Sequence, residues 1–146
     1  MSLSLLYYGD GKRQRTLEFE LRDILTTMSW SKSLPILALG TQKGSLILVD
    51  FKTDQKLPVL GKHSKKISVC AWSKENLLAL GSVDGTISIN DSSGDTKYKQ
   101  MVRSEPQDLQ FGTMKSENRS HTSDTISTLL DNKSIFLWKF TTDEQR

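Results

Sequence analysis

The sequence predicts an all-β chain. Its expected architecture is a partial β-propeller of about three blades, each a four-stranded antiparallel sheet, in a ring that does not close. Three observations lead there. First, one pattern occurs twice. Trp30-Ser31-Lys32, Ile36-Leu37-Ala38-Leu39-Gly40, Gly44, Leu46, Leu48 and Asp50 is followed by Trp72-Ser73-Lys74, Leu77-Leu78-Ala79-Leu80-Gly81, Gly85, Ile87, Ile89 and Asp91. One constant offset carries Gly40 to Gly81, Gly44 to Gly85 and Asp50 to Asp91. Second, each copy holds short strand-like segments bounded by turn residues. Third, no long stretch shows the helical spacing of an amphipathic helix. Four short strands in each period match the content and length of one propeller blade, and blades repeat because each alone exposes both faces of its sheet.

The elements follow in order. Residues 3–21 read as the end of one blade, because Leu5 and Tyr7 precede Leu46 and Leu48 by the same offset. Residues 25–60 form a full blade, with a turn at Lys43-Gly44. Residues 67–103 form the second. Ile67 to Trp72 alternates loosely, Leu77 to Leu80 is a short apolar run suited to a strand covered on both faces, and Ile87-Ser88-Ile89 alternates strictly. Asp84-Gly85 between the last two is a hairpin signal, since glycine accepts the positive φ of tight turns. Asp91-Ser92-Ser93-Gly94-Asp95 is a further turn cluster. Residues 107–140 hold most of another blade. Ile135-Phe136-Leu137-Trp138 answers to Ile87-Ser88-Ile89-Asn90 at a longer offset, and the polar loop 113–124 takes up the extra length. Trp30 and Trp72 also correspond, with a slightly longer turn after Lys32 than after Lys74. Their equivalence predicts core packing for both, and Trp138 is expected to pack as well. A β-sandwich also has many short strands, but it does not explain glycines, tryptophans and aspartates aligned at one offset.

Charge and composition narrow the partners. The formal charge over 146 residues is +3, and the basic residues are scattered. Lys62, Lys65 and Lys66, the tightest group, read as a solvated loop. Nucleic-acid binding calls for a basic stripe interleaved with aromatic residues, so none is expected. No apolar run approaches the length of a membrane span, so no membrane insertion is expected. The start, MSLSLLYYGDG, lacks a basic region ahead of an apolar one and is a poor signal peptide. The single cysteine, Cys70, suits a reducing compartment, and the chain reads as intracellular.

Catalytic and cofactor chemistry is not expected. His63 reads as a loop histidine holding a blade turn through Asp84 rather than as a general base. His121, Ser123 and Asp124 are three polar residues of one loop, whereas a triad is a spatial arrangement with an oxyanion hole. Cys70 beside Ala71 and Trp72 reads as a small buried hydrophobe. One cysteine and two distant histidines give no zinc spacing. No phosphate-binding glycine motif is present, and Gly9-Asp10-Gly11 reads as a turn. The chain is therefore expected to be a non-enzymatic protein with no catalytic, cofactor or metal site.

Leu60-Gly61-Lys62-His63-Ser64-Lys65-Lys66-Ile67 to Ala71-Trp72-Ser73, with Leu77, Ala79-Leu80-Gly81-Ser82-Val83-Asp84-Gly85-Thr86-Ile87, resembles a WD repeat. Such repeats open near Gly-His and close near Trp-Asp. Here Lys62 splits the Gly-His, and the closing pair reads Asn90-Asp91, Val49-Asp50, Tyr8-Gly9 and Trp138-Lys139 in the four units. The resemblance implies a bracing network of histidine, strand serine, turn aspartate and tryptophan in each blade. His63 and Asp84 match it. Leu80 stands at the serine and Asn90 at the tryptophan, so apolar packing is expected to carry more of the stabilisation. The structural motif residues expected from the repeat are thus His63, Asp84, Gly85, Trp72, Trp30, Gly44, Asp50 and Asp91. The linker Arg103-Ser104-Glu105-Pro106 is the candidate partner-contact loop, its proline suiting a loop or edge.

Leu57-Pro58-Val59-Leu60-Gly61-Lys62-His63, Glu75-Asn76-Leu77-Leu78-Ala79-Leu80-Gly81, Gly94-Asp95-Thr96 and Val102-Arg103-Ser104-Glu105-Pro106 resemble a narrower family, the WD-repeat subunits of intraflagellar transport complex A. The likeness is strongest from residue 28 to 111. It implies an interaction scaffold, with partners among the other subunits of that complex. It further implies a role in retrograde transport and cargo entry, and a place in the cilium and at its base. The alternative is a general WD-type adaptor outside cilia, binding an extended peptide at a sheet edge. About three blades do not close a ring. The chain is therefore expected to be a fragment or a truncated product, or to have its ring completed by copies of itself or by a partner.

Overall fold

The structure is a computed structural model that describes residues 2–9, 11–20, 22–114 and 123–140. These contain thirteen strands and no helix. The first sheet pairs β1 (Ser2–Gly9) with β2 (Lys12–Glu20). The next is β3 (Leu25–Trp30), β4 (Ile36–Thr41), β5 (Leu46–Asp50) and β6 (Gln55–Val59), hydrogen-bonded in sequence order. A second four-stranded sheet follows: β7 (Ile67–Trp72), β8 (Leu78–Ser82), β9 (Thr86–Asn90) and β10 (Thr96–Met101). The last has three strands, β11 (Pro106–Gly112), β12 (Thr125–Leu130) and β13 (Ser134–Lys139). All pairs are antiparallel between sequence neighbours. The sheets of four, four and three strands make an unclosed arc, as the repeat predicts.

Turn chemistry sets the hairpins. Gly44 and Gly85 sit at φ 91° and 83° in the β4–β5 and β8–β9 turns, where a side chain would be strained. The β12–β13 turn uses Asp131 and Asn132, both at positive φ, a pairing typical of a two-residue hairpin turn.

The sheets stack through their first strands, β7 lying against β3 and β11 against β7. Gly40 and Gly81, equivalent positions of the two full blades, make this approach possible. A Cβ on Gly40 would stand 2.7 Å from Ile67 Cγ2, and one on Gly81 would stand 2.8 Å from Val69 Cγ2 and 3.0 Å from Pro106 Cβ. The recurring glycine therefore marks where the next blade's inner strand crosses. Leu46, Leu48, Ile67, Trp72, Leu78 and Leu80 fill the space between the first two full blades. Ile87, Ile89, Leu109, Ile126 and Phe140 fill the space between the second and the third. Leu80 faces one cluster and Ala79 the other, so β8 is covered on both faces. Around Phe140 the rings of Tyr98, Phe111 and Trp138 lie 5.7, 5.9 and 5.9 Å away, which places Trp138 in the packing of the last sheet.

One expectation fails here. Trp72 is 3% exposed and donates its indole N–H to the Ser29 carbonyl of the preceding blade at 2.9 Å. Trp30 is 54% exposed and rests on Phe51 of its own blade. Equivalent strand positions gain equivalent burial only where a preceding inner strand covers them, as β3 covers Trp72. Trp72→Ala should accordingly lower stability by about 3–5 kcal/mol. Trp30→Ala should cost under about 1 kcal/mol, both read from urea midpoints.

Candidate functional site

The connector from β6 to β7 carries His63 into the edge of the second full blade. Its backbone N–H donates to Gly44 O at 3.0 Å, and the imidazole is buried. Nδ1 lies 2.9 Å from Thr86 Oγ1 and 3.3 Å from Asp84 Oδ2. Nε2 lies 2.9 Å from Ser88 Oγ. Asn90 Nδ2 donates to Ser88 Oγ at 3.2 Å and to Leu78 O at 3.1 Å. Asn90 Oδ1 accepts from Thr96 Oγ1 at 2.9 Å, and Lys62 Nζ reaches Thr96 Oγ1 and Gly94 O.

A single proton arrangement satisfies the whole chain. Lys62 donates to Thr96, Thr96 to Asn90, Asn90 to Ser88, Ser88 to Nε2, and Nδ1–H to Thr86 and Asp84. Thr86 passes its own hydroxyl hydrogen to Asp84. In this arrangement the imidazole is neutral with its proton on Nδ1, in keeping with a pKa lowered by burial.

The network is thus richer than the expected His63–Asp84 pair, since Thr86, Ser88 and Asn90 join it. Asn90 stands at the tryptophan position but is a hydrogen-bond donor in its own right. The serine comes from β9 rather than from Leu80's position on β8. Matching the repeat position by position misses Thr86, Ser88 and Asn90. Their signal is nonetheless in the sequence: a buried strand that reads polar at every second residue must send those groups to partners.

The atoms run Asp84–His63–Ser88 in the order of a hydrolytic triad. Ser88 is 1% exposed and lies beneath the imidazole, with its oxygen already accepting from Asn90. A substrate carbonyl has no route to it, so the arrangement holds a strand pair and a connector together.

Burial pushes the His63 pKa below its ordinary 6.5, against the pull of Asp84 and helped by Lys99 and Lys62. For Asp84 burial raises the pKa, but hydrogen bonds from Thr86 and Ser64 and the nearby His63 outweigh it and bring the carboxyl to about 2. An unfolded chain takes up the His63 proton near 6.5 while the folded chain resists it. Stability is therefore highest above that value and falls as pH drops below it. Asp84 adds stability that is present above 3.8 and is lost as pH falls through about 2. Urea midpoints should decline from about pH 7 to about pH 5, and His63→Asn should flatten that decline.

The other expected residues are local. The Asp50 carboxylate accepts from the Lys52 amide at 2.9 Å. Asp91 accepts from the Ser93 and Asp95 amides and lies 3.7 Å from Lys97 Nζ. In the linker Arg103 is exposed and Ser104 and Glu105 are half-buried. Pro106 is buried at the start of β11 against Gly81. Of the contact loop, then, Arg103 is the part most fully presented, and the proline is a packing residue. Burial raises the Cys70 thiol to about 11 beside Thr27, unlike the low value of a reactive thiol. His121 lies outside the described residues, as does 115–122 of the polar loop. Asp124 closes that loop's base, accepting from the Met114 amide at 3.1 Å. Among the described residues no three His, Cys, Asp or Glu are placed to hold a metal. No helix among them is long and apolar enough to cross a membrane.

Stacked four-stranded sheets with this connector and turn pairing define a WD-repeat-type β-propeller. Solved structures superpose on the chain at low identity, WD40 repeats among them. A chain of the mitotic checkpoint complex matches with TM-score 0.71 at 17% identity, over 90% of this chain and 39% of that one. The RRP9 WD40 repeats match at 0.68 and 19%, over 83% and 37%. The computationally designed Ika4 protein matches at 0.69 and 22%, over 89% and 74%.

The family model for the WDR19 first beta-propeller matches residues 2–146, and the chain belongs to that family. It is 40% identical over 138 residues to WD repeat-containing protein 19 of Mus musculus, covering 92% of this chain and 10% of that protein. The Homo sapiens protein of that name is 40% identical over 136 residues, covering 91% and 10%. WD repeat-containing protein dyf-2 of Caenorhabditis elegans is 23% identical over 116 residues, covering 80% and 8%. The chain thus spans about a tenth of the length of these curated relatives.

Proposed function

We propose that the chain is a non-enzymatic protein-interaction scaffold, part of the first propeller of an intraflagellar transport complex A subunit. In this reading it serves retrograde ciliary transport and cargo entry, in the cilium and at its base on the cytoplasmic side. The observation that carries the proposal is the match of nearly the whole chain to one named propeller family. The site chemistry supports it, since the polar groups of the second blade are spent on one another rather than offered to a substrate. Its partners are proteins, first among them the other subunits of that complex, with copies or a partner completing the ring.

The test is affinity purification of the tagged 146-residue chain from ciliated cells, with imaging of the same tag. Enrichment of the complex's subunits and a ciliary signal are expected. Recovery without them, with a diffuse signal, would favour the general adaptor instead.

A further inference from the structure

The two full blades carry the same slot with different contents. Equivalent positions pair across equivalent strands: Ser88 lies opposite Lys99 in β9–β10, and Ile47 lies opposite Pro58 in β5–β6. In the second blade the slot is filled by His63, held by Asp84, Thr86 and Ser88. In the first, Lys43, Ser45 and Ile47 stand at the positions of those three, and Val49 replaces Asn90. Arg22 and Asp23, not a histidine, lead into β3. No imidazole chain can form from this set.

What remains is an open recess of roughly 480 Å³, a size within the range of ligand pockets. Its apolar lining is Ile47, Pro58 and Leu60. Leu60 is 79% exposed at the start of the connector that His63 anchors. Arg22 and Lys43 stand exposed at the rim. Asp23, the carboxylate of this lining, is occupied by the amides of Ile24 at 2.8 Å and Lys43 at 3.2 Å. The recess therefore combines an apolar floor with a cationic rim whose neighbouring carboxylate is turned to backbone donors.

We propose that this vacated slot binds a segment of a partner protein in which an apolar side chain is flanked by carboxylates. The apolar side chain meets Ile47, Pro58 and Leu60, and the carboxylates meet Lys43 and Arg22. The equivalent recess of the second blade, lined by Gly61, Lys62, His63, Ser64, Asp84, Thr86 and Lys99, does not compete, because Lys99 stands where Pro58 does and no apolar side chain floors it.

The probe is a fluorescein-labelled Glu-Glu-Leu-Glu-Glu peptide, titrated by fluorescence anisotropy with the 146-residue chain. Saturable binding is expected. Leu60→Glu, Lys43→Glu and Pro58→Lys, all at exposed positions, should each weaken it about tenfold or more. Replacing the peptide's leucine by serine, or its glutamates by lysines, should do the same. Lys99→Glu, at the matching place in the second blade, should leave it unchanged. Circular dichroism melts confirm that the variants fold. The peptide exchanges need no variant protein at all. Absence of saturable binding, equal binding of the serine peptide, or an equal loss with Lys99→Glu would each overturn the proposal.

Discussion

Replacing His63 by alanine should lower the stability of the chain by about 3 kcal/mol, more than any other polar substitution in the second blade. The imidazole bridges the fully buried Ser88 hydroxyl and the part-buried Asp84 and Thr86. Its removal leaves the Ser88 hydroxyl and the inner side of Asp84 and Thr86 facing a void. Ser88→Ala, which takes the donor from His63 Nε2 but leaves Asn90 its bond to Leu78 O and Nδ1 its partners, should cost less, about 1–2 kcal/mol. Urea midpoints at neutral pH measure both. A loss under about 1 kcal/mol for His63→Ala would mean that the network is solvated and that apolar contacts alone hold the blade.

Gly44→Ala should have an effect of similar size through the same connector. A Cβ there would fall 2.1 Å from the His63 carbonyl oxygen and 2.8 Å from that of Lys65, at a φ of 91°. Both atoms are backbone, so the connector itself must move. The Gly44 carbonyl also accepts the His63 N–H, so the shift detaches His63 from the turn that holds it. A loss of about 3 kcal/mol or more is expected. Gly85→Ala, whose nearest contact is Val102 O at 3.1 Å, should cost less. Gly61→Ala meets nothing within 4 Å and should cost about 1 kcal/mol for its backbone alone. Because Gly44 and His63 act on one connector, the double variant should lose less than the sum of the two.

Much of the fold was legible because the repeat encodes contacts between blades as well as strands within them. Gly40 and Gly81 recur since the next inner strand crosses there, and Gly44 and Gly85 recur since a hairpin turns there. Burial was less legible where it depends on a neighbour. Trp30 and Trp72 are identical residues at identical places, yet the blade ahead covers the second far better. The site was half legible. His63 and Asp84 could be paired from the repeat, but their partners could not be found by asking which family positions had been lost. Ser88 and Asn90 answer a different question: where a buried strand sends its polar groups. The same question separates the blades, for Ile47 and Val49 in the first have no polar group to send, and Ile47 with Pro58 and Leu60 gives its recess an apolar lining.

The polar group at His63 acts as an internal latch, its ring held by Asp84, Thr86 and Ser88. The most direct measurement is the ¹⁵N chemical shifts of the His63 imidazole followed from neutral to acidic pH. The latch predicts a neutral ring protonated at Nδ1, with Nε2 as acceptor, that takes up the second proton only below its ordinary 6.5. A ring that titrates at its ordinary value and exchanges freely between tautomers would contradict it.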